Sequence, residues 1–141
     1  MYEDLLQRIT VNPHMMVGQP CIRGMRITVL FVLETLAAGT SREELLRELP
    51  VLEPVDIDAA LAYGSELAGR ARECGGLVER ITCDPEMMVG KPCVRGMRVT
   101  VEHVLETLSA GASDEELLED LPMLEPVDIS AALLFASKLC E

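Results

Sequence analysis

Arg8 to Val29 reads RITVNPHMMVGQPCIRGMRITV, and Arg80 to Val101 reads RITCDPEMMVGKPCVRGMRVTV. These stretches open a repeat in which residues 8–69 return at 80–141 without insertion or deletion, and 41 of the 62 aligned pairs are identical. Further along, LRELPVLEPVDIDAAL (Leu46 to Leu61) returns as LEDLPMLEPVDISAAL (Leu118 to Leu133). A 72-residue period is longer than the roughly 20–50 residues of stacked solenoids, and two copies are too few for an array. A module of about 60 residues buries only a small core. The duplication therefore points to a fused pseudo-dimer in which two like modules, 1–73 and 74–141, share one core about a pseudo-two-fold axis.

Within one module, Arg8-Ile9-Thr10-Val11 is β-prone and ends at the turn signal Asn12-Pro13. Gly18, Pro20 and Gly24, with Gly90, Pro92 and Gly96 in the second copy, punctuate a tight hairpin or fixed loop whose second strand takes in Cys21 and Ile22. Thr28 reads as the N-cap of a buried helix that stops at Gly39. Ser41-Arg42-Glu43-Glu44 is a capping box, repeated at Ser113-Asp114-Glu115-Glu116, for a short helix that ends at Pro50. Pro54 suits the first position of a third helix, with Ile57, Ala60, Leu61 and Ala68 on its inner face. The fold expected is mainly α: two tandem helix-turn-helix-like three-helix modules, each preceded by short β-strands, with the third helix presented outward.

Charge divides the molecule. The chain of 141 residues carries a net charge of −12. Residues 1–72 hold seven Lys/Arg against ten Asp/Glu, and residues 73–141 hold five against fourteen, giving −3 and −9. The cations gather in the hairpins, and most of the acid lies in the helices. Guanidinium forks beside glycines suit phosphate or carboxylate, so Arg23, Arg26, Lys91, Arg95 and Arg98 are candidate ligand-binding residues. The alternative is that the arginines fix their own loops through carbonyls or carboxylates of the same module. Both readings stay open on sequence.

Other residues carry less. Cys21 and Cys93 are equivalent but lack further ligands, so they read as small buried side chains and no metal site is expected. His14 and His103 are not equivalent, which removes a repeated catalytic base. The pairs Met15-Met16 and Met87-Met88 suit an irregular core or a partner surface. With no phosphate-cradling glycine motif and no nucleophile elbow, neither catalysis nor a cofactor is expected. Five cysteines, an odd number without close pairs, suggest a reducing compartment rather than a disulfide framework. An acidic N-terminus, and no apolar run of about 18 residues, suggest a cytoplasmic protein with no membrane contact.

The ordered pattern Gly-x-Pro-Cys-x-Arg-Gly-x-Arg-Ile/Val-Thr-Val, a helix ending in Ala-Gly, Ser-x-Glu-Glu-Leu-Leu, Leu-Pro-x-Leu and Asp-Ile-x-Ala-Ala-Leu resembles the family catalogued as domain of unknown function 433, in both copies. That family is similar to helix-turn-helix antitoxins of the VapBC type, whose partners are PIN-like ribonuclease toxins. The resemblance implies a PIN-like toxin as protein partner, with operator DNA as a second candidate. The third helices, Pro54 to about Arg70 and Pro126 to about Leu139, would read the major groove. Their outward positions offer Asp56, Asp58, Ser65, Glu66 and Arg70, then Asp128, Ser130, Ser137 and Lys138, a set too acidic to neutralise phosphate. The alternative expectation is an acidic protein-interaction module that has kept the fold and lost DNA. Further pairing of two chains is left open.

Overall fold

The structure, a computed structural model, describes residues 2–76 and 78–140. After a short helix α1 (Tyr2–Leu6), each unit builds the same hairpin. In the first, β1 (Ile9–Thr10) pairs antiparallel with β2 (Cys21–Ile22), Ile9 opposite Ile22 and Thr10 opposite Cys21. Arg23 and Gly24 then turn with φ of 43° and 70°, and the Met25 amide returns to the Ile22 carbonyl at 2.8 Å. Two successive positive φ values are the demand of a tight primed turn, and glycine meets it without strain at the second position.

The Thr28 side chain accepts from the Phe31 amide and opens α2 (Val29–Ala37), which gives way to Gly39 at φ 101°. Ser41 and Glu44 form the expected reciprocal capping box at the head of α3 (Arg42–Glu48). Pro54 stands in the first turn of α4 (Pro54–Arg70). The second unit repeats this with β3 (Ile81–Thr82), β4 (Cys93–Val94), α5 (Val101–Ser109), α6 (Asp114–Asp120) and α7 (Pro126–Leu139). The molecule is thus mainly helical, two repeated units each with a hairpin followed by helices.

The most extensive helix packing runs between the units: α4 lies along α5 and α2 along α7, while α2 on α4 and α5 on α7 within a unit is slighter. A shift of 72 residues exchanges these two major contacts, as an isologous pairing requires. The buried apolar residues form one cluster that takes Val29, Leu33, Ile57 and Leu61 from the first unit and Val101, Leu105, Ile129 and Phe135 from the second. Near the axis, a Cβ on Gly64 would lie 3.1 Å from Leu33 Cδ1 and 3.2 Å from Ala136 Cβ, so the bare glycine lets the helices close. The Ser65 hydroxyl donates to the Glu102 carbonyl at 3.0 Å and Arg42 donates to the Leu108 carbonyl at 2.7 Å, two polar ties across the same seam.

This packing corrects the expectation that α4 and α7 face outward. Ala59, Ala62, Gly64 and Ser65 bury the would-be outer face of α4, and Ala131, Ala136 and Ser137 do the same on α7. Small side chains on the second face let helices of the other unit approach, so the helix is covered on two sides. Asp56, Ser65, Asp128 and Ser137, read as outward, are buried. Lys138 and Glu66 remain half-buried near the helix ends, and Arg70 is exposed.

The halves are not identical. In the first, α1 packs on α4. At the equivalent place in the second, Cys74 and Cys83 are disulfide-bonded across the turn of Gly75 and Gly76, both at positive φ. The reading of five cysteines as lacking close pairs did not foresee this bond. A separation of nine residues says little by itself, and the glycine turn brings the two together. Cys21, Cys93 and Cys140 are free and buried. No described helix is long and apolar enough to cross a membrane.

Candidate functional site

Asp56 occupies the first turn of α4, where its carboxylate accepts from the Glu53 amide at 2.8 Å and closes a capping box. Its remaining lone pairs meet two arginines. Arg23 Nη2 donates to Oδ2 at 2.8 Å and Nε to Oδ1 at 3.0 Å, while Arg8 Nη1 donates to Oδ1 at 2.7 Å. The carboxylate is wholly buried. Arg23 also donates to the Val51 carbonyl at 2.9 Å, and Arg8 to Glu53 at 3.0 Å. The hairpin is thereby clamped to the head of the third helix.

The second unit repeats the clamp. Asp128 accepts from Arg95, Arg80 and the Glu125 amide, and Arg95 reaches the Met123 carbonyl at 3.0 Å. The Arg95 fork pulls the Asp128 carboxyl down to about 2, with burial working the other way and the Glu125 amide and Arg80 assisting. At Asp56 burial pushes the pKa up, but Arg23, the Glu53 amide and Arg8 outweigh it and leave the carboxyl below its ordinary value. Hydrogen bonds donated to these carboxylates raise the pKa of all four arginines. Each hub is a saturated, charge-assisted network rather than an open anion site.

The five candidate cations therefore fall into three kinds. Arg23 and Arg95 bind carboxylates of their own unit. Lys91 Nζ donates to Glu102 Oε1 at 2.7 Å. Arg26 and Arg98 are exposed, and the partners recorded for them are the Sδ atoms of Met16 and Met88, at 3.9 and 4.0 Å. Of the loop residues, Gly18, Gly24, Gly90 and Gly96 all hold positive φ, and the carbonyls of Pro20 and Pro92 accept from Val29 and Val101 to join each loop to its first helix. Cys21 and Cys93 donate to the carbonyls of Gln19 and Lys91 at 3.3 Å. Among the described residues no group of three or more His, Cys, Asp and Glu is placed to hold a metal.

Reading the sequence missed Asp56 and Asp128, which it took for exposed helix residues. The signal was there: an Arg at the head of the repeat, an Arg in the turn and an Asp at the third helical position, identical in both copies. It also missed a groove on the first unit of about 460 Å³, lined by Met16, Leu30, Phe31 and Leu49 with Arg26 and Glu34 at its charged edge. The equivalent depression of the second unit is lined by Met88, Lys91, Glu102, His103 and Glu106.

Two segments of the chain, residues 9–64 and 81–136, match the family described as Protein of unknown function (DUF433). A relative, "Uncharacterized protein y4eO" of Sinorhizobium fredii (strain NBRC 101917 / NGR234), is 40% identical over 58 residues, which is 41% of this chain and 26% of the relative. The chain thus spans about a quarter of the length of that relative. No solved structure matches. With a hairpin and three helices occurring twice, each copy under the same family profile, the chain belongs to the DUF433 family as a tandem pair.

Proposed function

We propose that this chain is an antitoxin-like protein that neutralises a basic partner, a PIN-like ribonuclease, through its acidic surface, and that its third helices do not read DNA. The observation that carries this reading is the burial of α4 and α7 between the two units. Exposed on them are Glu53 and Pro54 at the head of α4, Glu125, Pro126 and Val127 at the head of α7, and Arg70 at the far end of α4, so no lysine or arginine is exposed along the middle of either helix. Among the described residues, seven of the twelve Lys/Arg, namely Arg8, Arg23, Arg42, Arg70, Arg80, Lys91 and Arg95, are in salt bridges within the chain. Few remain to neutralise phosphates, whereas a net charge of −12 draws a cationic protein.

A second reading, operator binding, is favoured by one observation: Arg26 and Arg98 are exposed at equivalent places, one per unit. Neutralisation is tested by co-expressing the chain with the product of the reading frame beside its gene, isolating the complex by gel filtration and assaying that product for RNA cleavage with and without the chain. Stoichiometric inhibition is expected. Undiminished cleavage in excess of the chain would sink the proposal.

A further inference from the structure

The two units place the same backbone at two surface depressions and line them differently. At positions 19, 30 and 31 the first unit has Gln19, Leu30 and Phe31, and the second has Lys91, Glu102 and His103. The second depression is as large, about 480 Å³, but its lining is charged, with Lys91 and Glu102 paired at 2.7 Å. Glu102 also rests against Gly69, where any Cβ would collide with its carboxylate. The first stays apolar, and Phe31 is 46% exposed at its edge although the chain has only two phenylalanines and buries the other, Phe135.

Beside each depression the loop is strained. Met16 and Val17 hold φ of 49° and 57°, and Met88 and Val89 hold 50° and 57°. A β-branched residue in the left-handed region is an outlier that costs of order 1–2 kcal/mol. Val17 is 97% exposed, so no packing within the chain offsets that cost. Strain held at an exposed apolar tip points to a function for the tip.

We propose that the first-unit groove of Met16, Leu30, Phe31 and Leu49 is the single docking site for a cationic amphipathic segment of the partner protein, so that the fused pair binds one partner where two identical modules would bind two. This deepens the neutralisation reading and rests on it. The groove takes an apolar side chain, and Glu34 at its edge, on a chain of net charge −12, takes a flanking lysine or arginine of the same segment. A second copy of this chain fits poorly, since two bodies of −12 repel. Duplication freed the second depression to become polar, which converts a two-fold binder into a one-sided one.

The test is calorimetric titration of the full chain with a leucine–lysine amphipathic peptide of about 18 residues, long enough to form a helix, beside a counterpart with serine for leucine. One peptide per chain is expected. The triple change Gln19→Lys, Leu30→Glu and Phe31→His installs residues the second unit already carries, and binding should weaken at least about tenfold. The reverse change, Lys91→Gln, Glu102→Leu and His103→Phe, should give two sites. Unaltered affinity in the first variant, equal affinity for the serine peptide, or no binding to the unaltered chain each overturns the groove. Should either variant unfold, amide-shift mapping on the unaltered chain decides: shifts centred on Met16, Leu30 and Phe31 support the site, and shifts elsewhere overturn it. Sedimentation that shows self-association abolished by the first variant reassigns the groove to a second copy and overturns the proposal too. Ribonuclease inhibition separates the two claims. Inhibition that survives the first variant removes the site and leaves neutralisation standing, while a nuclease left active by the unaltered chain removes neutralisation and leaves the groove to the titration.

Discussion

Arg23 and Arg26 lie three positions apart on one hairpin and do different things. Arg23 binds a buried carboxylate, and Arg26 extends into solvent beside a methionine. Removing Arg23 strips Asp56 of a bidentate partner, so Arg23→Ala and Arg95→Ala should each lower the denaturation midpoint clearly. Arg26→Ala and Arg98→Ala should stay within about 0.5 kcal/mol. Urea denaturation of the four variants measures the contrast. Equal effects would mean that the clamp does not hold the hairpin.

The same clamp sets an acid limit. The Asp128 carboxyl ordinarily titrates near 3.8 and is held at about 2 in the fold. A depressed folded pKa gives stability that is complete above the unfolded value and is lost as pH falls through the folded one. The Asp128 hub should therefore contribute roughly 2 kcal/mol that disappears between about pH 4 and pH 2. Asp56, shifted in the same direction, adds to the loss. Thermal melts at pH 5, 4, 3 and 2 should show the decline, and Asp128→Asn should flatten it. A midpoint indifferent to pH in this range would contradict the assignment. At this scale the sequence displayed the arginines and their alternatives, but no local rule reports that an Asp at the third position of a helix is wholly enclosed.

At the scale of elements, the caps were legible. Thr28, Ser41 and Pro54 begin helices where their chemistry says they should, since a cap needs only a neighbour three residues away. The orientation of α4 was not. Its apolar periodicity gave one inner face at Ile57, Ala60, Leu61 and Ala68, and only the second unit reveals that Ala59, Ala62, Gly64 and Ser65 form another. Small residues read as neutral along a sequence and as contact sites in a fold. Gly64→Leu should overpack the seam against Leu33 and Ala136 and destabilise by about 3 kcal/mol. Chemical denaturation should show a single transition at lower midpoint, because both units lose the seam together. A variant as stable as the parent would place the axis elsewhere.

For the whole molecule, the repeat foretold pairing, and the structure adds that the pairing is more extensive between units than within them. Residues 1–72 and 73–141 expressed apart should each lack cooperative unfolding by circular dichroism, and mixing them in equal amounts should restore it. Halves that melt independently with the stability of the full chain would refute a shared core.

Charge is a whole-molecule property as well, and it bears most directly on function. The decisive measurement is fluorescence anisotropy of the purified chain titrated into the duplex upstream of its own gene and into a scrambled duplex, at about 50 and 200 mM salt. With the third helices buried and most cations paired, anisotropy should stay flat or rise weakly and equally for both duplexes. Tight, salt-sensitive binding that prefers the upstream duplex would contradict the acidic protein-binding role and restore operator reading.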